Sequence, residues 1–389
     1  MEFESSGVPY GRLMDELTTV HLQDLKFSDG KVLGSMCTRP DDIAKEVYLL
    51  FIEANLGNPG LCPGTAKLEA KVMGMMFNLL GLDHSDPRND HAGGQMVSGG
   101  TEANITALWL ARNTTSKKEI VLPKSGHFSL LKAADLLGMK TRIIPLTDDY
   151  RMDVEIMKEQ IGKETAAIIG VAGTTELGQV DPIEEIGEVA LDAGIPFHVD
   201  AAFGGFVLPF LDDFSEIFDF RSPGVSSVGV DPHKMGMATI PSGALLLRDK
   251  RIQGTIGVDS PYLTSERNMS LSGTRNSASV AATYAVMRFL GKEGYRRIVQ
   301  KCMRNSRYLA EQLDRLGLKP VMESVINVVA AQTGELGHKP STIIKEMNDL
   351  GWKLSKACNP PSIRFVIMPH VTSAHIDDLI HDLSSVIDK

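Results

Sequence analysis

The sequence predicts an α/β protein with a large domain on a mainly parallel sheet, helices on both faces, and a smaller C-terminal α/β domain. Short apolar runs alternate with amphipathic segments from residue 51 to residue 275, the pattern of βα units laid into one parallel sheet. After Gly273 that rhythm gives way to a long helical stretch and then a strand, helix, strand, helix series. With 389 residues, 43% of them hydrophobic, the chain has room for two to three domains and a sizeable core.

Taken in order, residues 1–50 read as an N-terminal arm lying on the large domain or on a partner subunit. A helix from Asp41 to Asn55 leads into Leu56-Gly57-Asn58-Pro59-Gly60, whose Asn-Pro-Gly marks a turn. The large domain, 51–275, has candidate strands at Glu119 to Leu122, Thr141 to Pro145, Ala166 to Val171, Pro196 to Val199, Ser226 to Val230 and Gly243 to Leu247, most of them bounded by Gly, Pro or Asp. Between them, Thr101 to Arg112, Ser129 to Leu137, Val154 to Ile161 and Ile183 to Asp192 read as helices. The second domain, 276–389, begins with a helix from Ser277 to Leu316. Strands near Asn327 to Ala331 and Ile363 to Met368 flank a helix from Ser341 to Leu350, and a last helix runs from Ser373 to Ile387.

A formal charge of −9 and a pI near 5.6 provide no basic field for phosphate backbones, which argues against a nucleic-acid partner. Cys37, Cys62, Cys302 and Cys358 are scattered without a C-x-x-C pair, the usage of a reducing compartment, and offer neither a zinc site nor a disulfide frame. Met1-Glu2-Phe3-Glu4-Ser5 lacks a basic and apolar leader, and no apolar run reaches membrane-spanning length. The expectation is a cytoplasmic protein with no membrane partner and no metal.

The chemistry gathers at predicted strand ends, where open α/β sheets bind ligands. Ile195-Pro196-Phe197-His198-Val199 ends at Asp200, and Ser226-Ser227-Val228-Gly229-Val230 ends at Asp231-Pro232-His233-Lys234. A lysine that can condense with an aldehyde and a carboxylate that can keep a pyridine nitrogen protonated are the pair that pyridoxal phosphate requires. Seen singly, Asp200 would be a turn cap and Lys234 an ordinary solvated lysine. Ser98-Gly99-Gly100-Thr101 opens a helix whose N–H groups can hold a phosphate, with the Thr101 hydroxyl beside them. His127, beyond the strand at Glu119, could stack on a pyridine ring or simply cap a helix. Gly173-Thr174-Thr175 is another strand end with hydroxyls, or a plain turn. Arg364 alternates with Ile363 and Phe365 in a strand, and its planar fork suits a substrate α-carboxylate or a structural ion pair.

Together, Ser98-Gly99-Gly100-Thr101-Glu102-Ala103-Asn104, His198-Val199-Asp200-Ala201-Ala202 and Asp231-Pro232-His233-Lys234 resemble the group II pyridoxal-phosphate decarboxylases. These enzymes have the aspartate aminotransferase fold, fold type I, and the nearest resemblance is to the archaeal tyrosine/aspartate decarboxylases. Gly34-Ser35-Met36-Cys37, Asn55 to Gly60, Gly173 to Gly178, Phe203-Gly204-Gly205, Ser272-Gly273-Thr274-Arg275 and Val366 to His370 extend the likeness over nearly the whole chain. One departure is Gly94-Gln95-Met96, where the family pattern has an aromatic and a histidine nearby; it bears on substrate choice.

The resemblance implies that Lys234 is the internal-aldimine lysine, Asp200 the pyridinium partner and His127 the ring-stacking residue. Gly99, Gly100, Thr101, Ser227 and His233 would hold the phosphate end, with Thr174 and Ala202 also against the cofactor. Gly273 and Thr274 would reach the phosphate of a neighbouring subunit in a homodimer. Arg364 would orient the carboxylate that leaves as carbon dioxide. Tyr262, in the polar loop Asp259 to Thr264, is the candidate to protonate Cα, with His233 and Lys234 as rivals and an ordinary surface-loop tyrosine as the alternative. The implied reactions are L-aspartate to β-alanine, a coenzyme A precursor, and L-tyrosine to tyramine, a methanofuran precursor. Two other readings stand beside it: a carbon–carbon lyase similar to sphingosine-phosphate lyase, and a non-catalytic scaffold on the same fold.

Overall fold

The computed structural model describes residues 3, 5–83 and 86–387; of the stretch read as an arm, residues 1, 2 and 4 lie outside the described residues. Two helices belong to that stretch, α1 (Tyr10–His21) and α2 (Asp42–Leu50), and α3 (Pro63–Leu79) follows with a proline in its first turn. No residue of α1 is buried; Leu13, Met14, Leu17 and Val20 stand exposed along one side. The helix expected to run from Asp41 to Asn55 is shorter, capped by the Asp41 side chain on the Ile43 N–H.

The large sheet is formed by β1 (Gly93–Val97), β2 (Glu119–Pro123), β3 (Lys140–Ile144), β4 (Thr165–Val171), β5 (Phe197–Asp200), β6 (Val225–Val230) and β7 (Gly243–Leu247), in the order β1-β7-β6-β5-β4-β2-β3. Neighbours from β6 to β3 pair in parallel, and β7 runs antiparallel to both β6 and β1. Strands β2 to β7 lie within a residue or two of their expected bounds. β1 escaped the sequence reading because Gly-Gly-Gln-Met-Val lacks the β-branched and aromatic residues that mark strands.

Helices α4 (Gly100–Thr115), α5 (Phe128–Leu136), α6 (Val154–Gln160) and α7 (Ile183–Ala193) connect the strands. Successive strand residues feed different cores, as period-2 alternation requires. Ile120 and Leu122 of β2 pack with Leu108, Ala111, Leu130 and Ala133 of α4 and α5, whereas Val121 joins Met76, Phe77 and Val280 on the opposite face. Burial on both faces explains why the middle strands read as continuous apolar runs.

A hairpin of β8 (Val258–Asp259) and β9 (Arg267–Asn268) precedes α8 (Ala278–Arg315). The single long helix expected here is broken at Gly291, where φ is 58° and ψ 179°. A four-stranded antiparallel sheet follows, β10 (Lys319–Pro320), β11 (Val328–Gln332), β12 (Ser355–Cys358) and β13 (Pro361–Val366), in the order β10-β11-β13-β12. Helices α9 (Pro340–Asp349) and α10 (Ser373–Ile387) cover it around a second core that holds Leu309, Trp352, Ile363, Phe365 and Leu379. Trp352 is fully buried with its indole N–H on Asp382, 2.7 Å away, the polar outlet that a buried tryptophan needs. No helix among the described residues is long and apolar enough to cross a membrane.

Candidate active site

The carboxyl ends of β1, β2, β4, β5 and β6 open on one edge of the sheet because these strands run the same way. There they surround a cavity of about 410 Å³. Gly99, Gly100 and Thr101 line it from the start of α4, His127 from the start of α5, Asp200 and Ala202 from the end of β5, and His233 and Lys234 from the segment after β6. Met36, Phe203 and the Ile240-Pro241 pair supply apolar walls.

One hydrogen-bond network holds the two groups expected to meet the pyridine ring. Asp200, 6% exposed, accepts from the Ala202 N–H at 3.1 Å through Oδ1 and from Asn104 Nδ2 at 2.9 Å through Oδ2. The same Asn104 nitrogen donates to Ser129 Oγ at 2.9 Å, so its Oδ1 is the acceptor facing His198 Nε2 at 3.0 Å. His198 therefore carries its proton on Nε2. Burial depresses its pKa to about 4, leaving Nδ1 to accept from the Ser227 hydroxyl at 2.8 Å. On the other branch Ser129 donates to His127 Nδ1 at 2.8 Å, and the Ser129 N–H caps the same nitrogen at 3.3 Å. The His127 proton is thus placed on Nε2, and burial, outweighing the pull of Asp200, holds this imidazole below its usual pKa. A neutral ring of fixed tautomer suits stacking.

At the start of α4 the cavity wall offers backbone donors. Helix α4 starts at Gly99 without a side-chain cap, so its first-turn N–H groups and dipole are available to a ligand. Glu102 Oε2 bends back to the Ser98 N–H at 2.7 Å and fixes the entry of the chain. A side chain at Gly100 would stand 3.1 Å from Ala202 Cβ and 3.2 Å from Asp231 Oδ2, which explains the glycine. Lys234 Nζ lies 3.2 Å from Asp231 Oδ2, and Asp231 is 2% exposed with Oδ1 lacking any hydrogen-bond partner. An amine, a buried carboxylate, a neutral imidazole and a helix start with free N–H groups line one cavity, a set of groups that fits pyridoxal phosphate.

Six expected residues do not line this cavity. Ser227, expected at the phosphate, sits mid-strand opposite His198 with its hydroxyl engaged by that ring. Thr174 is turned into its own loop, accepting the Gln179 N–H at 2.9 Å; its neighbour Thr175 lines the cavity instead. Arg364, 7% exposed, donates to Ser355 Oγ at 2.9 Å, to Gly34 O at 2.7 Å and to Thr175 O. It is neither purely structural nor open, since five guanidinium donors exceed three acceptors. Tyr262 stands 84% exposed in the β8–β9 hairpin, and Gly273 and Thr274 are exposed before α8. Sequence reasoning gave no role to Asn104, His198 or Ser129, although all three fall in or beside the quoted motifs.

A family model described as the pyridoxal-dependent decarboxylase conserved domain matches residues 51–329. The probable L-tyrosine/L-aspartate decarboxylase of Methanothermobacter thermautotrophicus is 45% identical over 367 residues, covering 93% of this chain and 99% of that protein. The L-aspartate/L-glutamate decarboxylase of Pyrococcus horikoshii is 43% identical over 395 residues, covering 100% of both. Among solved structures, the Burkholderia pseudomallei sphingosine-1-phosphate lyase superposes with a TM-score of 0.89 at 24% identity, covering 100% of this chain and 92% of the other. The Lactobacillus brevis glutamate decarboxylase does so with a TM-score of 0.89 at 21% identity, covering 100% and 94%. At those identities the likeness concerns the fold.

Proposed function

The chain belongs to the pyridoxal-dependent decarboxylase family, and from that premise we propose that it decarboxylates L-aspartate to β-alanine, with L-tyrosine to tyramine as its second reaction. Supporting this choice, aspartate is named in the relatives from Methanothermobacter, Archaeoglobus and Pyrococcus alike. The observation that carries the decarboxylase reading is the joining of Lys234, Asp200 and His127 in one cavity that is also lined by the start of α4.

Pyridoxal phosphate, when bound, supplies an aldehyde for an amine and a ring that accepts the electron pair released at Cα. Lys234 provides the amine. Asp200, held by Asn104 and the Ala202 N–H, keeps a proton at the ring nitrogen. His127 would lie against the ring, and the start of α4 with Thr101 and His233 would hold the phosphate. Arg364 has donors left over after Thr175 O and Gly34 O, and offers them to the carboxylate that departs. Its bond to Thr175 O, a residue that lines the cavity, supports this role.

Lys234, which lines the cavity, is the better placed Cα proton donor within one chain. Tyr262 serves only where a second copy presents its hairpin, and Gly273 and Thr274 belong to the same arrangement; we accordingly propose a homodimer. Residues 51–275 would form the cofactor-binding domain and 276–389 the second. We place the protein in the cytoplasm, supplying β-alanine for coenzyme A or tyramine for methanofuran.

The test is amine formation from L-aspartate, L-tyrosine and L-glutamate by purified protein with and without pyridoxal phosphate. Cofactor-dependent β-alanine is expected. A protein that binds the cofactor yet forms no amine would favour the carbon–carbon lyase reading.

A further inference from the structure

Asp231 is a carboxylate in an unusual position. It is 2% exposed, and its Oδ1 is shut off from solvent without a hydrogen-bond donor, a costly arrangement for an ionised oxygen. Both carboxylate oxygens lie against the start of α4: a Cβ built on Gly100 falls 3.2 Å from Oδ2, and one built on Gly99 falls 3.9 Å from Oδ1. The nitrogens near it are on the other oxygen, Lys234 Nζ at 3.2 Å and His233 Nε2 at 3.9 Å from Oδ2.

Cofactor loading would commit the first of these: condensation of the Lys234 amine with the aldehyde, with loss of one water, would take that nitrogen into a C=N bond, so that it no longer offers Asp231 the three donors of a free ammonium. At the same moment a phosphate enters beside the carboxylate. Two groups that can only accept hydrogen bonds cannot meet in a dry site without a proton between them.

We infer that Asp231 meets the cofactor's phosphate as a neutral carboxyl group, donating a hydrogen bond from Oδ1, with the proton taken from solvent on binding; this rests on the cofactor reading above. The proton turns a repulsion into a charge-assisted bond. The charged and titratable groups facing Asp231 are Lys234 and His233 on its own segment, Asp200 at the end of β5, His127 at the start of α5 and Cys37 from the N-terminal stretch. Burial, first, and Asp200 favour the protonated form, while Lys234 and His233 oppose it. Committing Lys234 to the cofactor tips that balance toward the proton.

The test is isothermal titration of the apo protein with pyridoxal phosphate at pH 8, in buffers of different ionisation enthalpy. At that pH the free phosphate, with a second pKa of about 6, is already a dianion. Wild-type protein is expected to take up about one proton more than Asp231→Asn, and the ratio of the wild-type to the variant Kd to rise by up to about tenfold per pH unit. Since the variant could disturb the Lys234 segment, wild-type protein is also titrated with pyridoxal, which has the aldehyde but no phosphate. It should take up about one proton fewer than with the phosphate ester. Equal uptake in wild type and variant, or with pyridoxal and pyridoxal phosphate, would overturn the inference while leaving the cofactor reading intact. A wild-type protein that forms no yellow chromophore would overturn both.

Discussion

Asn104 Nδ2 stands 2.9 Å from Asp200 Oδ2 and 2.9 Å from Ser129 Oγ, so one amide on α4 sets both a carboxylate at the end of β5 and, through Ser129, an imidazole at the start of α5. Its oxygen also fixes the His198 tautomer from below. Replacing Asn104 by Ala leaves the buried Asp200 oxygen without a donor. A hydrogen bond to a charged group is worth about 1.5–3 kcal/mol, so pyridoxal phosphate should bind roughly 10–100-fold more weakly, measured by chromophore titration. Unchanged binding would mean that Asp200 is held by Ala202 alone.

Lys234→Ala removes the amine that lines the cavity. The variant should form no yellow chromophore with pyridoxal phosphate, and its decarboxylation should fall by at least about 10³-fold, the scale seen when a covalent catalyst is deleted. A Lys234→Ala protein with full activity would remove the basis for the decarboxylase reading.

Arg364→Lys separates substrate binding from cofactor binding. An ammonium cannot reach Ser355 Oγ, Gly34 O and Thr175 O together. We expect kcat/KM for L-aspartate to fall about 10–100-fold, consistent with losing bidentate contacts, with the cofactor chromophore intact because Arg364 bonds to Ser355, Gly34 and Thr175, none of them a residue proposed to hold the cofactor. Loss of the chromophore would assign Arg364 to the framework alone.

Stability of the apo protein should respond to acid through two buried groups of opposite sign. His198, depressed to about 4, is protonated more readily in the unfolded chain, so its contribution is complete above the unfolded pKa of about 6.5 and is lost as pH falls toward 4. Asp181, raised by burial to about 6, binds its proton more readily in the folded chain and adds stability as pH falls through that value. In His198→Gln only the second effect remains. Urea unfolding from pH 7 to pH 4 should show the wild type losing stability relative to this variant by up to about 1.4 kcal/mol per pH unit. A constant difference would show that His198 protonates equally in both states.

Gly291 holds φ 58° and ψ 179° inside α8, and a Cβ added there would meet nothing within 4 Å. The obstacle to a side chain is thus the backbone alone. Gly291→Ala should cost about 1–3 kcal/mol, as for other conformations that only glycine adopts readily, read from urea unfolding. No change would indicate that the helix can straighten through residue 291.

Most of the sheet was legible because strands buried on both faces announce themselves as unbroken apolar runs, as Thr165–Val171 does with all seven residues buried. The cavity lining was legible where a residue type has few other uses at a strand end: Lys234, Asp200 and the glycines at the start of α4. Ser227 misled because a serine near a binding motif has two uses, and its strand register turned it toward His198 rather than the cavity. Asn104 and His198 gave no signal, since local sequence does not reveal which buried polar groups meet across β5, β6 and α4. Tyr262 was singled out by its loop alone, and loop position says nothing about which copy of the chain it faces.

The residues that line the cavity are drawn from Met36 through Pro241. Five strand ends, two helix starts and a segment from the N-terminal stretch must all be in place before the cavity exists, and loop closure over such separations comes late in folding. A ligand that binds only this assembled state opposes the unfolding of every contributing part by the same RT ln(1 + [L]/Kd). Cofactor supply would therefore set the lifetime of the polypeptide as well as its catalytic state, with chains left empty the first to be exposed to proteolysis.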